Sequence, residues 1–298
     1  TINIITKPEY RNSKFGNVYA GYGTDERYSA GGNYNFFNGD QRVSVVGLFN
    51  NVNQQNFSSE DLVGVATGSG GRGYRNRGNI KQNPNNFLVP QQNGIAKTAG
   101  GGFNYQDTWG KKTEIIGSYF YSNSKTDAVQ KKQLNYFSGT EQNQIYQESD
   151  SSFTDNSNRK ASFQLKHKFN KSNELVFRSN FGLQDNFGTS NTIGNTVLGS
   201  TTLNNIGRDY QSNLLGYNAN SRLTFNHRFD KKGRSFMIQL KNSMNGNDGV
   251  SELYSTQTDR FSMSDTLDQN ARLLSKTITY EGRLRYTEPL GKKGGLMF

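Results

Sequence analysis

The chain of 298 residues has no cysteine. Disulfides, thiolate metal sites and cysteine nucleophiles are therefore excluded. Proline is scarce, at 4 residues, and no run of about 18 apolar residues occurs, so no helix is expected to cross a membrane. Hydrophobic residues make up only 32% of the chain and the mean hydropathy is −0.84. That is low for a globular enzyme of this length, which must bury a substantial core. Disorder does not account for it, because 16 Tyr and 20 Phe bring the aromatics to 12%, and disordered chains are poor in aromatics. What is abundant is Gly, at 33 residues, with Asn, Ser and Gln. The composition describes many polar strands with aromatic anchors, joined by long polar loops. The net charge of +11 is compatible with anionic partners but identifies none.

The dominant period is two. In "ELVFRSNFGL", Leu175, Phe177, Phe181 and Leu183 share one face with Ser179, and Glu174, Val176, Arg178 and Asn180 share the other. "ASFQLKHKF" (161–169), "RLTFNHRF" (222–229) and "TITYEGRLRY" (277–286) alternate in the same way. Such alternation predicts strands with one apolar and one polar face. Short Asn, Asp and Gly turns are expected at 38–40, 108–112, 170–173, 230–233 and 291–295, since these residues suit tight hairpins. They recur roughly every 60 to 70 residues, a hairpin repeat. Between them lie polar stretches at about 52–95, 125–158, 186–209 and 247–271, which read as long loops.

Short turns at one end and long loops at the other match an antiparallel transmembrane β-barrel. A soluble sandwich would alternate too, but long loops at only one end are unusual for it. Phe36, Tyr105, Trp109, Phe169, Phe229 and Tyr286 sit beside the short turns, where a membrane-interface girdle of aromatics is expected. The expected fold is all-β: about ten strands and the start of another, part of a larger barrel.

The opening "TINIITK" (1–7), then "KFGNVYAGYG" (14–23) and the strand pair within 27–51, resemble TonB-dependent outer-membrane transporters of Bacteroidetes-type bacteria. In that family an "INI(I/V)TK"-like strand closes the plug domain and the chain then enters the barrel. The resemblance implies that residues 1–10 are the tail of a plug and 11–298 the N-terminal part of a barrel in the outer membrane of a Gram-negative bacterium. Family barrels have about 22 strands, so the chain reads as an internal fragment of a longer protein. The implied partners are outer-membrane lipid, TonB acting through the plug, a small-molecule or oligomeric nutrient (metal chelate, glycan or peptide), and, as a candidate, a surface lipoprotein. Short turns then lie in the periplasm and long stretches outside the cell. The competing readings are a non-transporting adhesin or structural barrel, and a soluble extracellular β-rich binding module.

Candidate chemistry follows from position. The stretch "GSGGRGYRNRGNI" (68–80) is rich in Gly and Arg but has no Gly-Lys-Ser/Thr opening a helix, so a phosphate loop is not expected. No nucleic-acid partner is expected either. The substrate-side candidates are Asn53, Gln54, Gln55, Asn56, Phe57, Glu60, Asp61, Arg72, Tyr74, Arg75 and Arg77. The lumen-facing set, by parity, is Arg42, Glu114, Lys166, Arg178, Arg222, Arg228, Glu281, Arg283 and Arg285, with Lys168, Glu174 and Lys241 beside them. His167 and His227 occupy matching places on the apolar face, where an interfacial role is expected rather than a metal site. Glu60 and Asp61 are adjacent, and adjacent residues in a strand point to opposite faces, a poor arrangement for acid–base catalysis. No enzyme activity, cofactor or metal is expected.

Overall fold

A computed structural model describes residues 12–53, 94–137, 144–291 and 294–298. All of its regular structure is one antiparallel sheet of eleven strands in sequential order, so every strand pairs with its neighbours in the chain. The strands are β1 (Asn12–Tyr22), β2 (Tyr28–Asn38), β3 (Gln41–Asn50), β4 (Ile95–Trp109), β5 (Thr113–Tyr136), β6 (Gln144–Lys168), β7 (Asn173–Leu198), β8 (Thr201–Arg228), β9 (Ser235–Asp259), β10 (Ser264–Leu290) and β11 (Gly294–Met297). Among the described residues β1 and β11 each have one neighbour, so the sheet is open at both edges. The expected all-β meander of ten strands and part of another is what forms.

The five expected short turns join β2 to β3, β4 to β5, β6 to β7, β8 to β9 and β10 to β11. They all lie at one end of the sheet because consecutive strands alternate in direction. Their chemistry is local. Gly39, Gly110 and Gly291 have φ of +62°, +63° and +64°, a region open to glycine at no steric cost. In the β6–β7 turn the Asn170 side-chain oxygen accepts from the backbone N–H of Ser172 (2.9 Å) and Asn173 (2.8 Å), an Asx turn.

The opposite end corrects the sequence reading. The stretches 125–158, 186–209 and 247–271 are mostly strand, not loop. β5 to β10 run 24 to 28 residues each, about 80 Å at ~3.3 Å per residue. β7 and β8 are joined by only Gly199 and Ser200. Hydropathy alternation fades in these stretches because both faces become polar, while backbone pairing continues in register from the lower half. Polar cross-strand pairs reinforce it: Asn123 Nδ2 donates to Asp155 Oδ1 (2.6 Å), and Ser190 and Thr192 hydroxyls both donate to Asp150 Oδ1 (3.1 Å each). Each such pair contributes roughly 0.2–1 kcal/mol.

A single sheet has no second layer, so its core is small. Among the described residues Leu48, Ala96, Ile115, Ala128, Leu214 and Leu273 are the buried apolar side chains, and Leu214 and Leu273 pack together with Ala271. Most burial is polar. Ser122, Ser124, Thr154, Asn156, Asn158, Gln184 and Ser212 are all buried, and cross-strand pairing puts all of them on one face. Most of the sheet's burial is therefore on its polar face. One close approach on the other face needs glycine: a Cβ on Gly246 would lie 2.4 Å from the ring of Tyr217.

Candidate functional site

Residues opposite one another in an antiparallel pair share a face, so the register assigns faces across the whole sheet. Ile115, Leu165, Phe177, Leu223 and Leu240 form one continuous row from β5 to β9. Four residues further from the short turns, Val45, Phe103, Tyr119, Ala161, Phe181, Ala219, Met244 and Ile278 form another from β3 to β10. Val45, Phe103, Tyr119, Phe163, Phe181, Leu223, Leu240 and Ile278 are all exposed large hydrophobics. They make a contiguous apolar surface far larger than isolated surface leucines need.

The apolar surface is a band of defined height. On β9 this face is uncharged from Phe236 to Gly246, and Asp248 follows. That is about 33 Å along the strand and about 25 Å in height for a strand tilted by about 40°. Charges resume at a similar level on neighbouring strands, at Arg159, Asp185 and Lys276.

Aromatics mark the lower border. The register puts Phe36, Tyr105, Trp109 and Tyr286 on the apolar face, with Phe169 and Phe229 just past the ends of β6 and β8. Trp109 Nε1 donates to the Tyr105 hydroxyl (3.3 Å), which donates to Asp107 (2.9 Å). Phe229 meets Tyr286 edge-on at 6.2 Å. The two histidines play matching parts here. His167 Nδ1 bonds Thr113 (2.8 Å) and its ring meets Phe169 at 4.7 Å; His227 Nδ1 bonds Asn173 (2.7 Å) and its ring meets Phe229 at 4.4 Å. Among the described residues, no three His, Asp or Glu side chains come close enough to hold a metal.

The opposite face gathers the charged set. Arg42, Glu114, Lys166, Arg178, Arg222, Arg228, Glu281, Arg283 and Arg285 all share it. Ion pairs link some of them: Lys166 with Glu174 (3.6 Å), Lys241 with Glu281 (3.4 Å) and Arg283 with Glu281 (3.1 Å). All are partly exposed, which limits each to about 0–1 kcal/mol. Arg178, Arg222 and Lys241 stand directly opposite one another across β7, β8 and β9. Adjacent like charges oppose pairing, so this row favours an anionic neighbour.

One cluster escaped the sequence reading. The Glu288 carboxylate accepts from Arg234 Nε (2.7 Å) and Nη2 (2.9 Å), from the Tyr286 hydroxyl (2.8 Å) and from Lys231 Nζ. Arg234, Lys231 and Tyr286 together hold it at about 2, well below the usual carboxylate range. It ties the β8–β9 turn to β10 below the apolar band. No local signal points to it, since its two cations lie 54 and 57 residues away in sequence.

Beyond the band the extensions carry polar features. On the apolar-face parity, a trough of about 1110 Å³ crosses from β4 to β10. It is lined by Asp127, Asp209, Glu252 and Asp268, with Phe153 and Tyr254 among them and no Lys or Arg. On the polar-face parity, Glu148, Asp150, Arg208 and Tyr210 border a smaller hollow. Nearby, the Tyr146 hydroxyl donates to Glu148, and this bond pushes the phenol up to about 12.

Of the substrate-side candidates only Asn53 is described, and its side chain bonds across the base of a connection. With φ of +55°, it donates through Nδ2 to the Gly94 carbonyl (2.8 Å) and accepts at Oδ1 from the Ala96 N–H (2.8 Å). It thus closes the base of the β3–β4 connection. Gln54, Gln55, Asn56, Phe57, Glu60, Asp61, Arg72, Tyr74, Arg75 and Arg77 lie outside the described residues, as do residues 1–11 and the 68–80 stretch. No protein-family model matches the chain, and no curated protein matches it.

Proposed function

We propose that the chain is part of the wall of an outer-membrane β-barrel, and that this barrel belongs to a TonB-dependent transporter that imports a nutrient. The observation that carries the barrel reading is the two-faced sheet. An apolar band, uncharged over about 25 Å of height on β9 and bordered by aromatics at its short-turn end, backs onto a face crowded with polar and charged groups. An exposed apolar surface of that height is costly in water and matches the hydrocarbon layer a barrel wall must face. The transporter part rests on the resemblance of the "TINIITK" stretch and the strands after it.

In this reading the apolar face meets lipid and the polar face lines the lumen around a plug. Arg42, Arg178, Arg222 and Lys241 supply a basic lumen wall that suits acidic plug side chains or an anionic nutrient. The strand extensions rise outside the cell. There the connection based at Asn53 and the polar hollow beside Arg208 would meet the nutrient first. TonB, energised from the inner membrane, would then act on the plug to open the path.

The test has two arms on the intact protein. Fluorophores on cysteines placed singly at Phe163 and Gln164, neighbours on opposite faces, are read in bilayers containing brominated lipid. Strong quenching at Phe163 and weak quenching at Gln164 is the expected result; equal quenching removes the barrel. Nutrient accumulation by cells is then followed with and without a protonophore. Loss of accumulation with binding retained is expected, whereas accumulation indifferent to the protonophore, or binding without any accumulation, leaves a non-transporting barrel.

A further inference from the structure

The short turns repeat a small pattern. Trp109-Gly110-Lys111 leads into the β4–β5 turn, Phe169-Asn170-Lys171 into the β6–β7 turn and Phe229-Asp230-Lys231 into the β8–β9 turn, where Lys232 follows. In each, an aromatic at the border of the apolar band precedes a lysine by two residues. The rings are well exposed, Trp109 by 57% and Phe169 by 50%. Lys111, Lys171 and Lys232 are exposed and meet no carboxylate within ion-pair distance among the described residues. Lys231 is taken up by Glu288, and Lys112 donates to the Phe169 carbonyl (3.1 Å). Three free ammonium groups therefore hang just below an aromatic border, on three successive turns of the same rim.

We propose that this rim binds the phosphate groups of anionic phospholipids in the leaflet at the short-turn end. The inference rests on the bilayer reading above and adds the headgroup class. Amphipathic rings settle at the headgroup level of a bilayer, with an apolar body toward the chains. A lysine two or three residues further on reaches past the ring, toward the phosphates, and its flexible stem lets the ammonium meet them. An ammonium is a compact point charge, suited to an anionic headgroup that moves. Among the described residues, no connection at the opposite end has an aromatic followed two residues later by a lysine. The β7–β8 connection is Gly199-Ser200, and the acidic trough lies on that side of the band. The free lysines on the short turns thus favour a lipid of negative charge at that rim.

The test uses the intact protein reconstituted in phosphatidylcholine vesicles, probed with spin-labelled phosphatidylglycerol or phosphatidylcholine. At low salt, each basic residue near an anionic surface contributes about a five-fold preference. Several-fold selectivity for phosphatidylglycerol is expected. It should vanish in the Lys111→Gln/Lys171→Gln/Lys232→Gln variant, and in about 1 M NaCl, where the screening length is only about 3 Å. Lys131→Gln/Lys132→Gln, at the far end of β5, should keep the selectivity. Equal association of the two lipids with the unmodified protein overturns the proposal, as does selectivity that survives the triple change or is lost in the far-end variant. If the protein inserts but shows no selectivity, the rim alone is refuted. If it fails to insert, the barrel reading falls and the rim with it.

Discussion

Leu240 and Gln239 are adjacent on β9 and face opposite ways, which makes them a controlled pair. Leu240 is on the apolar face, opposite Leu223, and is 54% exposed. It lies four residues above Phe236, where the uncharged stretch on that face begins, and six below Gly246, where it ends. Four residues at ~3.3 Å, with a strand tilt of about 40°, put it about 10 Å into a band about 25 Å high, close to the midplane. Leu240→Arg would therefore cost about 2–4 kcal/mol if that face meets lipid. If the face met water, only the buried half of the leucine would be lost, about 1 kcal/mol. Gln239→Arg changes the polar face, beside Thr224 and Arg283, and should stay within about 1 kcal/mol in either case. The assay is reversible folding of the intact protein into vesicles, titrated with urea and followed by gel mobility. A gap of about 1–4 kcal/mol, with Leu240→Arg the costlier, is expected from the lipid-face penalty. Equal costs, or a larger cost for Gln239→Arg, would refute the assignment of faces.

The remaining predictions address other parts of the sheet. Glu288 sits with its carboxyl lowered by Arg234, Lys231 and Tyr286. A group whose folded pKa is depressed contributes stability above its unfolded pKa and loses it as pH falls through the folded value, so the tie between the β8–β9 turn and β10 should hold at pH 5 and weaken toward about 2. Carbon-13 NMR of the Glu288 carboxyl should titrate near that value, and a midpoint in the ordinary carboxylate range would remove the cluster. Asn53→Ala deletes both hydrogen bonds at the base of the β3–β4 connection, at about 1 kcal/mol each; faster amide exchange at Ala96 is the expected signature. If 186–209 is strand as β7 and β8 place it, amides at 189–193 should be protected from exchange. Thr192→Pro, which removes a ladder donor, should then abolish that protection. Tyr146 should ionise near 12 by ultraviolet titration, and Glu148→Gln should bring it back toward an ordinary phenol, since the bond to Glu148 is the main cause.

Much of the sheet was legible because its signals are local. Leu175, Phe177, Phe181 and Leu183 alternate with polar neighbours, and that alternation fixes a strand and its two faces before any partner is known. Gly39, Gly110 and Gly291 mark turns because the chain needs positive φ there. Together they determine an all-β meander of about eleven strands, an apolar face, and aromatics gathered near one end. Three things were decided only by tertiary structure. The length of β5 to β10 was hidden because two polar faces erase hydropathy contrast while strand pairing continues. The Glu288 cluster was hidden because its two cations come from a turn more than 50 residues away in sequence, and only the hairpin register brings them to β10. The two bonds of Asn53 across the base of the β3–β4 connection were hidden because their partners, Gly94 and Ala96, lie about 40 residues on. In each case the deciding quantity is register across the sheet, which no single segment contains.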